Sequence, residues 1–396
     1  MEKKQVFRFG SCRQSGALRL VSMIFFLLFF TVSSTAQSNE IRLIFAGDIM
    51  MHQSQINAAE REDDTFDFSP VFRYISPLLQ EADLAIGNLE LTLPGKPPYT
   101  GYPNFRSPDT LAHTLREAGF DILVTSNNHS NDAKTDGIVH TIDVLDRQGI
   151  TNTGTFADSS DRAARYPLVI EKKGFRIGLL NYTYGTNDPH IPEPCIVNMI
   201  DTVQIKADLK NLYQEDPDII IAFMHWGDEY HLDENKKQQD LTRMLFKEGV
   251  DLVIGAHPHV AQPVKLLNEY APEGLRQGLV AYSLGNAVSG QVRTNTDMGL
   301  LLEVTYRRDP LTREVRLQRH HYLPIWRYRG WDEQGHRVIS ILPVSAFEED
   351  TAPFELTPSD RERMSAVTKR IREHLKRYHS SERRVSLQAW KKTTKK

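Results

Sequence analysis

Two stretches, DIIIAFMHWG (218–227) and DLVIGAHPHV (251–260), are apolar at almost every position until they end in histidine. A strand with one face in water alternates polar and apolar residues, so a run that is apolar throughout must be covered on both faces. IRLIFAGD (41–48), DLAIGNLE (83–90), DILVTSNNH (121–129), PLVIEKKGFRIGLLNYT, GLVAYSLGN and GLLLEVTY read the same way, with a KKG turn inside the fourth. Between them lie amphipathic segments with helical spacing: SPVFRYISPLLQEA, broken at Pro77, then DTLAHTLREAGF, GIVHTIDVLDRQGI, a stretch near 199–214, and QQDLTRMLFKEGV. Strand and helix in alternation predict an α/β protein whose sheets carry helices on their faces.

The ends of the chain differ from its body. Five basic residues, Lys3, Lys4, Arg8, Arg13 and Arg19, precede the 13-residue run LVSMIFFLLFFTV, and SSTAQ follows with Ser34 and Ala36 where a signal peptidase reads small side chains. The run is short of the roughly 20 residues that span a bilayer, so residues 1–36 are expected to be a secretory signal, with an uncleaved anchor as the alternative. The expected location is outside the cytoplasm, in the periplasm or on a membrane facing it. Cys12 leaves with the signal, and Cys195 then has no partner for an intramolecular disulfide.

Removing residues 1–36 takes the formal net charge from −3 to −7, and residues 361–396 carry 13 Lys or Arg against three Glu, so residues 37–360 stand at −17. An acidic body excludes nucleic acid as a partner. The basic tail offers contact with an anionic membrane surface, or serves as a solvated helix face. After about residue 306, EVRLQRHHYLPIWRYR and HRVISILPVS read as antiparallel strands, giving an expected appended β region over 306–355. Residues 357–396 are expected to form a helix and tail. Thr357, Pro358 and Asp360 make a helix start signal, and Met364, Val367, Ile371 and Leu375 form one apolar stripe that docks on the body.

Chemistry-bearing residues gather at the carboxyl ends of five runs: Asp48, Asn88 with Glu90, Asn128 with His129, His225, and His257 with His259. Singly, each reads equally well as a helix cap or loop side chain. Together, at the edge where open α/β sheets place their sites, they fit a hydrolytic centre with one or two divalent cations, since borderline metals accept imidazole and carboxylate together. Histidine with carboxylate and amide ligands admits manganese, iron, zinc or cobalt, of which manganese and zinc are taken as the expected ions. His129 suits proton donation to a leaving group, with Asp132 three residues on to orient its ring and Asn128 reaching the metal through its amide oxygen. In the loop 94–108, Tyr99, Tyr102 and Arg106 are expected to face an anionic or polyamide substrate. Trp226 is a further candidate for contact with it, and Asp228 and Glu229, in the loop after His225, are candidates for binding metal or substrate. Ser283 and Asn286 are expected to support the ligands through hydrogen bonds.

The motifs GDIMMH, GNLE, SNNHSNDAKTDG, HWGDEY, GAHPHVAQP and YSLGN together resemble the bacterial poly-γ-glutamate/capsule-biosynthesis protein CapA family, a branch of the calcineurin-like metallophosphoesterases, over residues 41–305. The resemblance implies a four-layer αββα sandwich with metals at the sheet edge, here followed by the C-terminal antiparallel strands and the terminal amphipathic helix. It implies either a metal-dependent hydrolase acting on a phosphoester or on an amide of a cell-envelope polymer, or a non-catalytic accessory of capsule synthesis and export. It would make Asn128, His225 and His257 ligands of one metal and Asp48 and His259 ligands of the other. Two positions depart from the superfamily pattern. Met50 stands where a histidine ligand is expected, and Asn88 where the bridging aspartate is. Glu90, facing the same way as Asn88 at strand period, is expected to supply that carboxylate, and His52 to fill the gap at Met50.

Overall fold

The computed structural model describes residues 39–271, 274–331, 335–348, 356–378 and 380–386. The expected signal segment and the tail beyond 386 lie outside these residues. No helix among them is long and apolar enough to cross a membrane.

Two sheets account for the apolar runs. From edge to edge the first comprises Arg337–Pro343, Val315–Trp331, Met298–Arg308, Glu40–Ile49, Leu84–Leu89, Ile122–Val124 and Thr151–Thr153, with Asn286–Val288 also paired to Glu40–Ile49. The second comprises Val264–Ala271, Gly274–Ala281, Leu252–Ala256, Ile219–His225, Phe175–Thr183 and Leu168–Lys172. Along the strand Ile219–His225, alternate side chains enter different cores. Ile219, Ile221 and Phe223 join the cluster shared with the first sheet, while Ile220, Ala222 and Met224 join one built with Leu209, Leu212, Leu245 and Phe246 from the helices Thr202–Tyr213 and Lys236–Lys247. That division is why the run is apolar at every position: one face meets a sheet and the other meets helices. Helices Thr110–Ala118 and Lys134–Arg147 contribute Leu111, Leu115, Val144 and Leu145 to the first sheet's cluster. The result is the mixed α/β sandwich expected from the sequence, with helices outside two facing sheets.

The C-terminal strands differ from expectation in their relation to the body. The expected boundary at 306 falls inside Met298–Arg308, which pairs antiparallel with the central strand Glu40–Ile49, and Val315–Trp331 and Arg337–Pro343 continue that sheet by backbone hydrogen bonds. They complete the first sheet instead of packing on it. The final helix, Pro358–Lys376, starts as its sequence dictates: Thr357 Oγ1 accepts from the Asp360 N–H at 3.1 Å, Pro358 occupies the first turn, and Met364, Val367, Ile371 and Leu375 are buried. Much of the basic charge around it is spent on acids of the body. Arg363 pairs with Asp297, Arg372 with Glu348 and Glu382, Arg383 with Glu81 and Glu303, and Arg384 with Glu348.

Candidate metal centre

Parallel pairing brings the strand ends together. Asp48 is in register with Asn88 on one side and Asn286 on the other, and His225 is in register with Ala256, immediately before His257. The glycines that precede the motif residues are steric requirements. A Cβ on Gly47 would lie 1.9 Å from the Gly285 carbonyl oxygen, and one on Gly255 would lie 1.8 Å from that of Tyr282. Only a residue without a side chain lets these backbones approach. A bulge between Ala46 and Asp48 then re-aims the carboxylate. In the GAHPH turn both histidines have left-handed backbone, φ 98° at His257 and 58° at His259. Strain of this kind, on the order of 1–3 kcal/mol per residue, persists where surrounding contacts impose it.

Asp48 sits at the middle of the polar network. It accepts from Asn88 Nδ2 at 2.8 Å and from the His257 N–H at 3.3 Å, and its Oδ2 lies 3.0 Å from His259 Nδ1. Burial pushes its carboxyl up, but the His259 hydrogen bond and charge and the Asn88 amide outweigh that and hold it below the usual range. Glu90 is the opposite case. It is 0% exposed, and both carboxylate oxygens are buried without a hydrogen-bond partner. Burial first, and the Asp48 charge second, drive its carboxyl well above the usual range. Its Oε1 lies 3.7 Å from His225 Nε2 and 3.9 Å from His259 Nε2. His257 Nδ1 is likewise buried without a partner.

These atoms form two groups with ligand spacing, Asp48–Glu90–His225 and Glu90–His257–His259, and Glu90 belongs to both. Among imidazoles and carboxylates alone, His257 groups with His259 and His225 with Asp48, while the His225 and His257 rings also lie 4.8 Å apart. Asn128 stands beside the first group, its Oδ1 2.7 Å from His225 Nε2. Burial, reinforced by the neighbouring imidazoles, lowers His225 well below its ordinary value and His257 to about 3, which keeps both in the neutral form that coordinates metal. Asn88 is tied to Asp48 through its Nδ2, which also faces His225 Nδ1 at 3.3 Å, so its amide braces ligands and leaves the shared carboxylate to Glu90. The donor set of imidazole, carboxylate and amide oxygen, centred on an orphaned buried carboxylate, fits a divalent cation.

Beside the centre lies a cleft of about 490 Å³ lined by Tyr102, Asn128, His129, Asp132, Asn187 and Glu229, among others. His129 Nδ1 is 2.7 Å from Asp132 Oδ2, and Phe105 packs edge-on against the imidazole at 4.6 Å. The second Asp132 bond, from the Phe105 N–H at 2.6 Å, fixes the carboxylate against the ring.

Other expectations are corrected. Trp226 is 3% exposed, and its Nε1–H donates to the Tyr282 carbonyl at 2.9 Å within the second sheet's outer core. Strand alternation turns it away from His225, so it does not meet a substrate. His52 does not join either ligand group: its Nδ1 accepts from the Gly290 N–H at 2.9 Å and its ring packs edge-on against Phe105. Met50 is buried in the large hydrophobic cluster, so no side chain fills the expected ligand place after Asp48. Arg106 is not among the residues lining the cleft, and its Nε is buried without a hydrogen-bond partner. Asn286 does support the ligands, its Oδ1 3.1 Å from His259 Nδ1, whereas Ser283 Oγ is engaged by the Gly285 N–H.

Residues that the sequence did not single out complete the surroundings. Asn127 Oδ1 accepts from the His129 N–H at 3.0 Å and its Nδ2 donates to the Leu89 carbonyl at 2.8 Å, so it builds the turn that presents the Asn-His pair. Asn187 Nδ2 lies 3.3 Å from His129 Nε2, and the Tyr184 ring is 4.6 Å from that of His257. The Asx turn at Asn127 has a readable signal in SNNHS. Asn187 and Tyr184 come from a loop with none.

The family model described as bacterial capsule synthesis protein PGA_cap matches residues 42–291. The chain is 26% identical over 270 residues to the PGA biosynthesis protein CapA of Bacillus subtilis (strain 168), covering 65% of this chain and 66% of that protein. It is 26% identical over 277 residues to the capsule biosynthesis protein CapA of Bacillus anthracis, covering 67% and 64% respectively. The matches thus span about two thirds of the length of these curated relatives. Among solved structures it is similar to the Haemophilus influenzae NAD nucleotidase NadN, with a TM-score of 0.45 and 14% identity over 84% of this chain and 62% of that one.

Proposed function

The chain belongs to the bacterial capsule synthesis protein PGA_cap family, and from that premise we propose that it is an exported, metal-dependent hydrolase acting on a phosphoester or amide bond in the making or trimming of a capsule or other cell-envelope polymer. The observation that carries the reading is Glu90, a fully buried carboxylate with no hydrogen-bond partner that is common to two groups of ligand atoms. One or two ions, manganese or zinc, would be held by Asp48, Glu90, Asn128, His225, His257 and His259. When bound, such an ion polarises a phosphoryl or acyl oxygen and makes water acidic enough to attack near neutral pH.

The protein's own groups do the rest. Asp132 holds the His129 ring through Nδ1 at 2.7 Å, which leaves Nε2 to pass a proton to the departing oxygen or nitrogen. Asn187 Nδ2, 3.4 Å from Nδ1 and 3.3 Å from Nε2, lies against the ring on the cleft side. Tyr102 and Glu229 border the cleft where the substrate would lie. That substrate is an anionic or polyamide polymer of the envelope, or a small phosphoester. The protein works in the periplasm or at a membrane facing it, where its basic tail would meet anionic lipid.

The test is turnover of bis(p-nitrophenyl) phosphate and of a γ-glutamyl amide by the full chain, with manganese or zinc and with chelator, beside Glu90→Ala and His257→Ala. Metal-dependent turnover lost in both variants supports the reading, and undiminished turnover in both overturns it. A second reading, a non-catalytic component of capsule synthesis or export, draws on Asn88, whose neutral amide stands beside Asp48 where the superfamily pattern has a bridging carboxylate. Metal binding with no turnover of either substrate class would favour it.

A further inference from the structure

His259 faces more negative charge than its hydrogen bonds explain. Its Nδ1 lies 3.0 Å from Asp48 Oδ2 and 3.1 Å from Asn286 Oδ1. The Asn286 amide is oriented, because its Nδ2 donates to Gln291 Oε1 and to the Thr296 carbonyl, both at 2.9 Å. With Nδ1 turned to those two acceptors, Nε2 is the ring nitrogen that faces the carboxyl groups. It lies 3.9 Å from Glu90 Oε1 and, from the cleft side, 4.0 Å from Glu229 Oε1, beyond hydrogen-bond range of both. With metal–ligand bonds of about 2.0–2.2 Å, two ligands of one cation lie roughly 3–4 Å apart, which is the spacing of this nitrogen from each of the two oxygens.

We propose that Glu229 is a ligand of the cation held by Glu90 and His259, entering from the solvent side of the centre. This rests on the metal-centre reading above. The backbone carries Glu229 to that position: the Tyr230 N–H donates to the Pro258 carbonyl at 2.8 Å, which ties residue 229 to the His-Pro-His turn, and Arg293 packs 4.3 Å over the Tyr230 ring. Charge favours the assignment. Two divalent ions against Asp48 and Glu90 alone leave two positive charges uncompensated, and Glu229 removes one. The Glu229 side chain is 42% exposed, against 0% for Glu90, so it closes the outer side of the centre and is free to swing away when a substrate oxygen takes its place.

The experiment is manganese and zinc titration of the full chain by calorimetry, with bound metal counted after dialysis, for the wild type, Glu229→Gln and Glu90→Gln. The expected result is two ions in the wild type, and in Glu229→Gln a loss of about tenfold or more in affinity for one ion with the other unchanged. Glu90→Gln weakens both. Melting curves of the metal-free proteins control for folding. Wild-type affinities for both ions in Glu229→Gln overturn this inference and leave the metal centre standing, as does a raised KM with unchanged metal affinities. A wild type that binds no ion, or a Glu90→Gln variant that binds like it, overturns the metal centre and this inference together.

Discussion

Replacing Glu90 by glutamine separates the two things this carboxylate does. In the metal-free protein it is a cost, since both oxygens are buried with no donor and burial, then the Asp48 charge, raise its carboxyl well above the ordinary value. A group whose folded-state value is raised contributes full stability below the unfolded value and loses it as pH climbs through the folded one. From the unfolded value of about 4.3 to pH 7, that loss is at most about 3.7 kcal/mol, at 1.36 kcal/mol per pH unit. For roughly 350 folded residues the unfolding entropy is about 0.7 kcal/mol per kelvin, so the ceiling on the effect in Tm is about 5 °C. Glutamine does not titrate, so metal-free Glu90→Gln at pH 7 should melt above the metal-free wild type by up to that amount, with the difference vanishing toward pH 4. Metal reverses the order. At a concentration 100-fold above Kd, one site stabilises the native state by about 2.7 kcal/mol, or about 4 °C, and the variant should lose most of that gain. Scanning calorimetry with chelator and with manganese, at pH 7 and pH 4.5, reads both effects. A metal-free variant that melts below the wild type at pH 7, or one that keeps the full metal-induced rise, refutes the account of Glu90 as an uncompensated ligand.

Three further outcomes follow from the geometry. Asp132→Asn should lower kcat by about 10²–10³ while leaving metal affinity as in the wild type, because the carboxylate's two partners are the His129 ring and the Phe105 N–H, neither of them in a ligand group; steady-state kinetics beside metal titration checks this. Trp226→Phe should leave KM unchanged and cost about 1 kcal/mol in urea unfolding, the value of the lost bond to the Tyr282 carbonyl; a raised KM would restore Trp226 to the cleft. Burial tends to raise the Glu348 carboxyl, but Arg372 and Arg384 hold it below its usual value, so its stabilising contribution is present above the ordinary carboxylate range and is lost as pH falls through the depressed one. Between pH 5 and pH 3 the wild type should lose about 1 kcal/mol more stability than Glu348→Gln, by calorimetry.

What the sequence disclosed follows from which constraints are local. The glycines before Asp48 and His257 announce a close backbone approach, and the apolar runs announce two-sided burial, because both are properties of a few consecutive residues. The final helix is legible for the same reason, since its cap and stripe lie within one segment. The fate of Trp226 was also within reach. Phe223 and His225 share the face toward the first sheet, so period two sends Met224 and Trp226 into the outer core. The remainder depends on pairings that no local pattern encodes. Glu40–Ile49 finds Met298–Arg308 across most of the chain, which makes the C-terminal strands part of the first sheet. Val264–Ala271, at the sheet edge with several exposed side chains, lacks the two-sided apolar signature and escapes a pattern reading. The same limit governs the centre. Ligand types were readable at the strand ends, but the spacing of their atoms was not, because it depends on the left-handed turns at His257 and His259 and on Asn286 standing beside His259 Nδ1. His52 shows the converse: a histidine four residues from Asp48 is removed from contention by one donor, the Gly290 N–H, which lies 238 positions away.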